Sequence, residues 1–365
     1  MTIPAAPASR DTAPTDSGRL PGPDVVRAVA LIGVALMNYH GYLILRGAER
    51  DTGFYDPWRG PLSTRFAATF VLTAGVGVTL LTRRAVGDAA RTARRRWTLV
   101  RRGLVLFGFG LLFDDVWPGT ILPFYGAMFV AAAALFTLPT VAVAAVGCGA
   151  AVAGASITWW GLERRLDGAE VSWLYSPGPR SPRGVLLDVF VNGTHPLLPW
   201  LAFFCAGIVL GRLLSSSAWR PTVAGAGMIL FGGATLTSAL AGDGDRAIVL
   251  ASTDNAERGL LYTASALGTA LIAFAAISWL AERFVTSPFV DALRHAGAMT
   301  LTLYIAHALA FNLVVDWWGW VEPGGLGTAL ALTGTFWTVA IAAGWWYHRR
   351  FGIGPAEWLY RRLDG

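Results

Sequence analysis

Ten stretches of about 20 mostly apolar residues run through this chain, and their length limits its fold more than any other feature. A helix of that length covers the roughly 30 Å of hydrocarbon in a bilayer. Because lipid offers no hydrogen-bond partner to a backbone amide, only helices and closed barrels can cross it. A chain of 365 residues could not bury all of these stretches in one soluble core. The sequence therefore predicts an all-α integral membrane protein, a bundle of about ten transmembrane helices.

The composition supports this prediction. Hydrophobic residues make up 54% of the chain and charged residues 14%, whereas soluble domains carry about 25% charged residues. The net charge of +6 would also suit nucleic acid, but cytoplasmic loops of membrane proteins are basic in any case. We therefore predict the lipid bilayer as a partner and no nucleic acid. All 29 basic residues are arginine, and the abundance of Ala, Gly and Arg suggests a bacterial source.

The ten predicted spans are separated by short linkers. They cover residues 25–45, 63–82, 99–116, 119–138, 140–161, 197–214, 221–241, 259–281, 289–315 and 326–347.

The distribution of arginine predicts the orientation. The linker 83–98 holds six arginines against one acid, Asp88, and short loops of this kind stay in the cytoplasm. The tail after the last span holds four more arginines, whereas the alternate loops carry most of the acids. We therefore predict that both termini are cytoplasmic, in a multi-pass protein of the bacterial cytoplasmic membrane.

Three regions follow from this pattern. Residues 1–23 combine Pro, Ala, Ser and Thr without the apolar core of a signal peptide, and they are predicted to be a disordered cytoplasmic tail. Residues 24–350 form the predicted transmembrane domain. Residues 351–365 form a predicted cytoplasmic C-terminal tail.

Three histidines fall in the outer half of the predicted bundle: His40, His195 and His307. Polar groups at membrane depth are costly, so they are candidates for function, and a neutral imidazole can act as a general base or nucleophile. Each can equally be a structural histidine, either buried and hydrogen-bonded or, for His195, at a loop–helix junction. Asn38 adds polarity beside His40, and we expect Asn38, His40 and His307 to face one internal cavity.

Two further candidates lie near the outer boundary. Asp114 and Asp115 end the third span, where a pair of carboxylates can orient a histidine or hold a proton, or can simply belong to a solvated loop. Tyr125 lies one turn into the fourth span, after Pro123. These residues complete the predicted catalytic set.

Four arginines near the cytoplasmic span ends are candidate phosphate ligands: Arg27, Arg101, Arg102 and Arg294. Arginine clusters bind phosphate well, although charge at a helix end can also serve as ordinary anchoring. No zinc-ligand spacing is present in the sequence, so no metal is expected.

The opening DVVRAVALIG at 24–33, followed by Asn38 and Tyr39, resembles that of the heparan-α-glucosaminide N-acetyltransferase catalytic family. That opening has an acid, Arg-Gly, an apolar run and then Asn or His; Ala28 here stands in place of the usual Gly. The remainder resembles bacterial membrane proteins of domain of unknown function 418. The matching stretches are TAGVGV at 73–78, LPFYG at 122–126, NGTHPLLPWLA at 192–202, LTLYIAH at 301–307 and GPAEWL at 354–359.

This resemblance implies a transmembrane acyltransferase. Family members with known activity move an acetyl group from cytosolic acetyl-CoA to an acceptor on the far side, with a histidine near the non-cytosolic face. Asn38 matches the family's Asn, and His40 lies near the catalytic position. The resemblance also implies a homodimer. The donor would be acetyl-CoA or another acyl-CoA, and the extracytoplasmic acceptor would be a sugar or a lipid-linked molecule.

Three functions remain open from the sequence. In an acyltransferase, the arginines would hold the donor phosphates, His40 or His307 would act as base or acyl carrier, and Asn38 or Tyr125 would stabilise the oxyanion. In a small-molecule or lipid transporter or flippase, the same polar residues would line a path. The third possibility is a scaffold or sensor without catalysis.

Overall fold

The computed structural model describes residues 21–174, 181–242 and 244–362, and every regular element within them is helical. Residues 1–20 of the predicted disordered tail lie outside this part, whereas residues 21–23 begin the first helix. The α-helices are α1 (Pro21–Leu45), α2 (Arg65–Thr82), α3 (Ala89–Phe113), α4 (Leu122–Leu135), α5 (Thr140–Leu166), α6 (Pro182–Leu187), α7 (Leu197–Leu213), α8 (Trp219–Leu240), α9 (Asp245–Leu250), α10 (Leu260–Arg283), α11 (Pro288–Ala298), α12 (Thr300–Phe311), α13 (Leu326–Phe351) and α14 (Pro355–Arg362).

Each predicted span overlaps one of these helices or a consecutive pair. Seven described helices are long and apolar enough to cross a membrane, and an eighth span is gained if Pro182–Asn192 and α7, bent by 57°, count as one. Helix α3 falls outside this set because arginines fill its first half, and α4 because it has only 14 residues. The protein is thus a multi-pass helical membrane protein, while the number ten and the orientation stay predictions.

The outward helix surfaces are apolar. Val141 on α5 is 80% exposed, Ile229 on α8 is 75% exposed and Val339 on α13 is 63% exposed. A soluble protein rarely shows apolar patches of this extent, whereas lipid makes them favourable. These faces therefore fit contact with hydrocarbon.

Small residues bring the inner helices together. A Cβ at Gly75 of α2 would overlap the backbone carbonyl of Phe204 in α7. Gly103 of α3 and Gly126 of α4 face each other in the same way, with added Cβ atoms 2.6 and 2.5 Å from the opposite carbonyl oxygen. Close backbone approach at small residues is the usual packing of membrane helices, where no hydrophobic force drives association. The resulting arrangement leaves a cavity among α1, α2, α3, α4, α12 and α14.

Candidate active site

A cavity of about 1060 Å³ lies among these helices. Its volume is at the upper end of the range for small-molecule pockets. It joins a basic rim to an apolar interior. The lining consists of Pro23, Asp24, Arg27, Phe70, Ala74, Gly77, Val78, Leu80, Leu81, Arg83, Arg84, Arg102, Leu106, Ile121, Leu122, Tyr125, Phe129, Ala298, Thr300, Leu301, Tyr304, Glu357, Tyr360 and Arg361.

Five arginines from four parts of the chain form the rim. Arg27 belongs to α1, Arg83 and Arg84 follow α2, Arg102 belongs to α3 and Arg361 to α14. Two rim acids, Asp24 and Glu357, only partly balance this charge. Guanidinium groups present several N–H donors in a plane, so this rim is suited to phosphate groups.

Arg27 is held in place by its neighbours. One of its Nη atoms lies 3.1 Å from an Asp24 carboxylate oxygen and 3.3 Å from the backbone carbonyl oxygen of Gly297. Gly297 is required there, because a Cβ would overlap the backbone of Asp24. Asp24 and the Gly297 carbonyl therefore hold the positive charge of Arg27 at the cavity wall.

Two of the three lining tyrosines, Tyr125 and Tyr304, lie among the apolar side chains of the cavity. The Tyr304 hydroxyl lies 3.0 Å from the hydroxyl of Thr120 and accepts the Ile121 N–H at 3.2 Å. The hydroxyl of Tyr125, by contrast, is buried and has no hydrogen-bond partner among the described residues. A buried hydroxyl without a partner is unfavourable, so Tyr125 is a ready hydrogen-bond donor for a polar group of a ligand. Its neighbour Phe70, 5.4 Å away between ring centres, belongs to the apolar wall.

His307 lies directly behind Tyr304. Their ring centres are 5.0 Å apart, and the histidine is 0% exposed. Trp117 packs edge-on against the same imidazole at 5.4 Å, and the Tyr39 hydroxyl donates to the His307 carbonyl at 2.7 Å. Neither ring nitrogen has a hydrogen-bond partner among the described residues. His307 is thus one side chain away from the cavity but does not line it.

His40 faces a different neighbourhood. It is 0% exposed, and its Nδ1 lies 2.9 Å from the backbone carbonyl of Tyr55 in the loop between α1 and α2. Asn38 is half-buried. The expectation that His40, His307 and Asn38 face one cavity is not met by the large cavity, because none of the three lines it. The reason is rotation along α1: Tyr39 points at His307, so the residues on either side of it point elsewhere.

The loop that receives His40 is organised by Asp56, which is 2% exposed. Its carboxylate accepts the N–H groups of Trp58 at 2.9 Å and Arg59 at 3.2 Å, and the Arg50 guanidinium donates to it at 2.7 Å. Burial alone would raise the pKa of Asp56, but these hydrogen bonds outweigh it and hold that pKa below its ordinary value.

The remaining catalytic candidates lie in loops beside the cavity. Asp114 accepts the Gly119 N–H at 2.8 Å and so shapes the α3–α4 connection, and Asp115 is exposed. The His195 ring packs edge-on against Trp200 at 4.5 Å, with Nδ1 3.0 Å from the Thr194 hydroxyl. None of these three side chains lines the large cavity.

The predicted phosphate ligands divide into two groups. Arg27 and Arg102 line the cavity, and the Arg102 guanidinium lies 5.3 Å from the ring centre of Tyr360. Arg101 instead lies over the Trp97 ring at 5.4 Å, and Arg294 pairs with Asp291 at 3.1 Å. Arg101 points elsewhere because successive residues on a helix differ by about 100° in direction.

Several lining residues are not among the site residues that the sequence predicts. Arg83 and Arg84 line the cavity, whereas in the sequence they belong to the Arg-rich linker that predicts the orientation. Tyr304 is part of the LTLYIAH stretch, three residues before His307. Glu357 belongs to GPAEWL, and only the fold brings that stretch to the rim. No group of His, Cys, Asp and Glu able to hold a metal is found in the described ranges.

Two family models match the chain. Residues 19–238, more than half of it, match "Heparan-alpha-glucosaminide N-acetyltransferase, catalytic", and residues 209–364 match "Protein of unknown function (DUF418)". No curated protein matches the chain. The first match contains four rim arginines, those of α1 and α3 and the pair that follows α2, together with the buried Tyr125. The second contains Tyr304 and α14. The chain belongs to the heparan-alpha-glucosaminide N-acetyltransferase catalytic family, with a C-terminal part of the DUF418 type.

Proposed function

We propose that this protein is a transmembrane acyltransferase that takes an acyl group, acetyl in the simplest case, from cytosolic acyl-CoA. The acceptor is a hydroxyl or amine of a sugar or lipid-linked molecule at the outer face. One observation carries the proposal: a single cavity joins a rim of five arginines to a buried tyrosine hydroxyl without a partner. The family supports the reaction type.

The donor fits this cavity by charge and by polarity. Phosphate groups of coenzyme A would meet Arg27, Arg83, Arg84, Arg102 and Arg361, which lie on the side predicted to be cytoplasmic. The arm that carries the thioester would extend into the interior towards Tyr125. There the tyrosine hydroxyl would donate to the thioester carbonyl oxygen and stabilise the negative charge that develops on it.

Transfer requires a base at the far end of the donor. The acceptor oxygen or nitrogen attacks the thioester carbon and loses its proton to the base, and the carbon–sulfur bond breaks to release the thiolate. His307 is the histidine that lies against a cavity wall, behind the Tyr304 ring at 5.0 Å, so we assign it this role. Tyr304 would have to move aside for the acceptor's proton to reach the imidazole. His40 is the second candidate, since it lies near the position the family implies.

The rest of the assignment follows from the sequence. We propose ten transmembrane spans with both termini in the cytoplasm, a bacterial cytoplasmic membrane as the location, and a homodimer. Helices α3 and α4 would then cross as a closely packed hairpin, supported by the contact of Gly103 with Gly126. In this arrangement the arginine rim faces the cytosol, where acyl-CoA is found.

Donor binding tests the proposal directly. Coenzyme A should bind the purified protein, and Arg84→Gln or Arg102→Gln should weaken it about tenfold each, as expected for loss of a charge-assisted hydrogen bond. Arg94→Gln is the matched control, because Arg94 is exposed and lies outside the cavity lining. Calorimetric titration gives the affinities. Failure of coenzyme A to bind the wild-type protein would overturn the proposal.

A transporter or flippase is the second candidate, and the 57° break between Pro182–Asn192 and α7 favours it. Broken helices often line the binding site of transporters. The two functions separate when proteoliposomes are supplied with radiolabelled acetyl-CoA. Label that appears in a covalent product supports the acyltransferase, whereas movement of an intact solute without any labelled product supports the transporter.

A further inference from the structure

The last described helix, α14, is attached to the bundle in an unusual way. None of its residues is buried. Its first turn is instead hydrogen-bonded to the start of α12: Glu357 accepts the N–H groups of Leu301 at 2.7 Å and Thr302 at 3.2 Å. The Thr302 hydroxyl donates to the other Glu357 oxygen at 2.5 Å and accepts the Ala356 N–H at 3.1 Å. We call this set the Glu357–Thr302 clamp.

The helix that the clamp holds is a wall of the cavity. Glu357, Tyr360 and Arg361 all line it, and the Arg102 guanidinium lies 5.3 Å from the ring centre of Tyr360. No residue of α14 is fully buried, although Tyr360 is half-buried and packs against the hydrophobic core, so apolar packing supplies only part of what holds the helix. The clamp adds four hydrogen bonds to this packing and so helps to keep this side of the rim closed.

Two glycines shape the connection between α13 and α14. Gly352 follows the last residue of α13 as its C-cap, and its φ of +76° is a conformation that other residues adopt with strain. A Cβ at Gly354 would lie 2.7 Å from the Thr302 hydroxyl and would overlap the Glu357 carboxylate. Gly354 and Glu357, both in the stretch GPAEWL, thus take part in the same contact between α14 and α12.

The charge of Glu357 opposes the ligand that the rim attracts. Its carboxylate shares the cavity lining with Arg27, Arg84 and Arg102, so a phosphate bound by these arginines would lie in the same space as this negative group. Two anions close together repel each other in a partly buried site. Binding of a phosphate-bearing molecule at the rim should therefore weaken the hydrogen bonds of Glu357 to α12, whereas Arg361 on the same helix can stay with the phosphate as α14 moves.

We propose that α14 is a gate on the cavity, that the Glu357–Thr302 clamp holds it closed, and that a phosphate-bearing ligand releases it. The identity of that ligand as acyl-CoA rests on the proposed function, whereas the gate itself does not. The closed helix would keep the cavity shielded, and its release would let a ligand with a bulky nucleotide head enter and leave.

Spin labels can measure the gate directly. One label replaces Leu359, which is exposed on the outward side of α14, and the other replaces Ser215 in the α7–α8 loop, in a Cys148→Ser background. Pulsed electron resonance in nanodiscs then gives the distribution of distances between the two labels. The distances are measured once for the protein alone and once with coenzyme A added as the probe.

Three variants disturb the clamp by different means: Glu357→Gln removes charge, Thr302→Val removes a hydroxyl, and Gly354→Ala inserts a methyl group. Each should raise the population of displaced distances about tenfold without ligand, the scale of one lost hydrogen bond. Glu282→Gln is the control for loss of a carboxylate, since Glu282 pairs with Arg220 in another part of the protein. Coenzyme A should displace α14 in the wild-type protein.

The outcomes separate the two proposals. Unchanged distances in all three variants, with normal melting temperatures, would overturn the clamp. Displacement in the variants but none on saturation of the wild-type protein with coenzyme A would overturn release by ligand. If coenzyme A did not bind at all, the proposed function would fail, yet the comparison of variants without ligand would still decide whether α14 is a clamped gate.

Discussion

At the residue scale, two of the cavity tyrosines, Tyr125 and Tyr304, differ in a way that separates catalysis from stability. Tyr304 makes two hydrogen bonds through its hydroxyl, to Thr120 and Ile121, and so contributes to the fold. The Tyr125 hydroxyl has no partner among the described residues, although it is buried in the cavity wall. A polar group kept in such a place is better explained by a ligand than by folding.

We predict that Tyr125→Phe lowers turnover about 100-fold, the scale for loss of one oxyanion donor, and leaves the melting temperature unchanged. The reason is that this hydroxyl forms no hydrogen bond that folding would lose. Tyr304→Phe is the comparison and should lower the melting temperature. Acetyl transfer from radiolabelled acetyl-CoA and thermal unfolding in detergent are the two measurements. Full turnover in Tyr125→Phe would remove this residue from the mechanism.

We predict that His307→Gln lowers turnover about 100-fold while coenzyme A still binds, because a positioned general base acts on the chemical step. The substitution keeps much of the size and polarity of the side chain, so that its effect reports chemistry more than packing. His40→Gln is the matched variant and should change turnover less. If His40→Gln were the inactive variant and His307→Gln the active one, the base would be His40.

At the scale of elements, glycines decide how closely helices approach. Gly75 of α2 faces the backbone of α7 and has no room for a side chain, whereas Gly149 of α5 has nothing within 4 Å of an added Cβ. The same residue type therefore has a packing purpose in one helix and none in the other.

We predict that Gly75→Ala lowers the stability of the bundle by about 1–3 kcal/mol, because backbone atoms of α7 must move to admit the methyl group. Gly149→Ala should leave stability unchanged or slightly raised, since alanine favours the helix. Thermal unfolding of both variants in the same detergent provides the comparison. Equal melting temperatures would show that α2 and α7 can separate without cost.

The loop between α1 and α2 should respond to acid through Asp56. Its pKa is lower in the folded protein than the ordinary value of about 4, so the ionised carboxylate stabilises the fold above about pH 4. That contribution is lost as the pH falls through the lowered pKa. We predict that the wild-type protein loses stability below about pH 4 more steeply than Asp56→Asn does. Melting curves across this range would show parallel decline if the carboxylate had no such effect.

At the scale of the whole molecule, the function proposed for the cavity depends on which side of the membrane its arginine rim faces. We predict that Val86→Cys labels from the cytoplasmic side and Glu170→Cys from the outside, as the Arg-rich linker and the acid-rich loop indicate. A Cys148→Ser background is needed because Cys148 is exposed, whereas Cys205 is buried. Impermeant maleimide on intact and opened cells distinguishes the sides. Labelling of both positions from one side would contradict the topology and would place the arginine rim away from the cytosol.

The sequence by itself determined the class of the protein. Apolar stretches of membrane length fix helices because lipid leaves a backbone amide no other partner. For the same reason the positions of the helices along the chain can be predicted from the apolar stretches, and each predicted span overlaps a helix or a helix pair. Arg27, the first rim arginine along the chain, was also predicted, because a charge at the end of an apolar span stands out in the sequence.

Only the tertiary structure decided which polar residues meet. Arg101 and Arg102 are adjacent in sequence, yet only Arg102 lines the cavity, because helix rotation separates neighbours and packing selects one of them. His40 and His307 both lie inside the bundle, but rotation of α1 turns Tyr39, not His40, towards His307. Glu357 reaches α12 only because the turn after α13 brings the end of the chain back to the rim. Such contacts depend on the angles between helices, which a pattern of residue types along one chain does not contain.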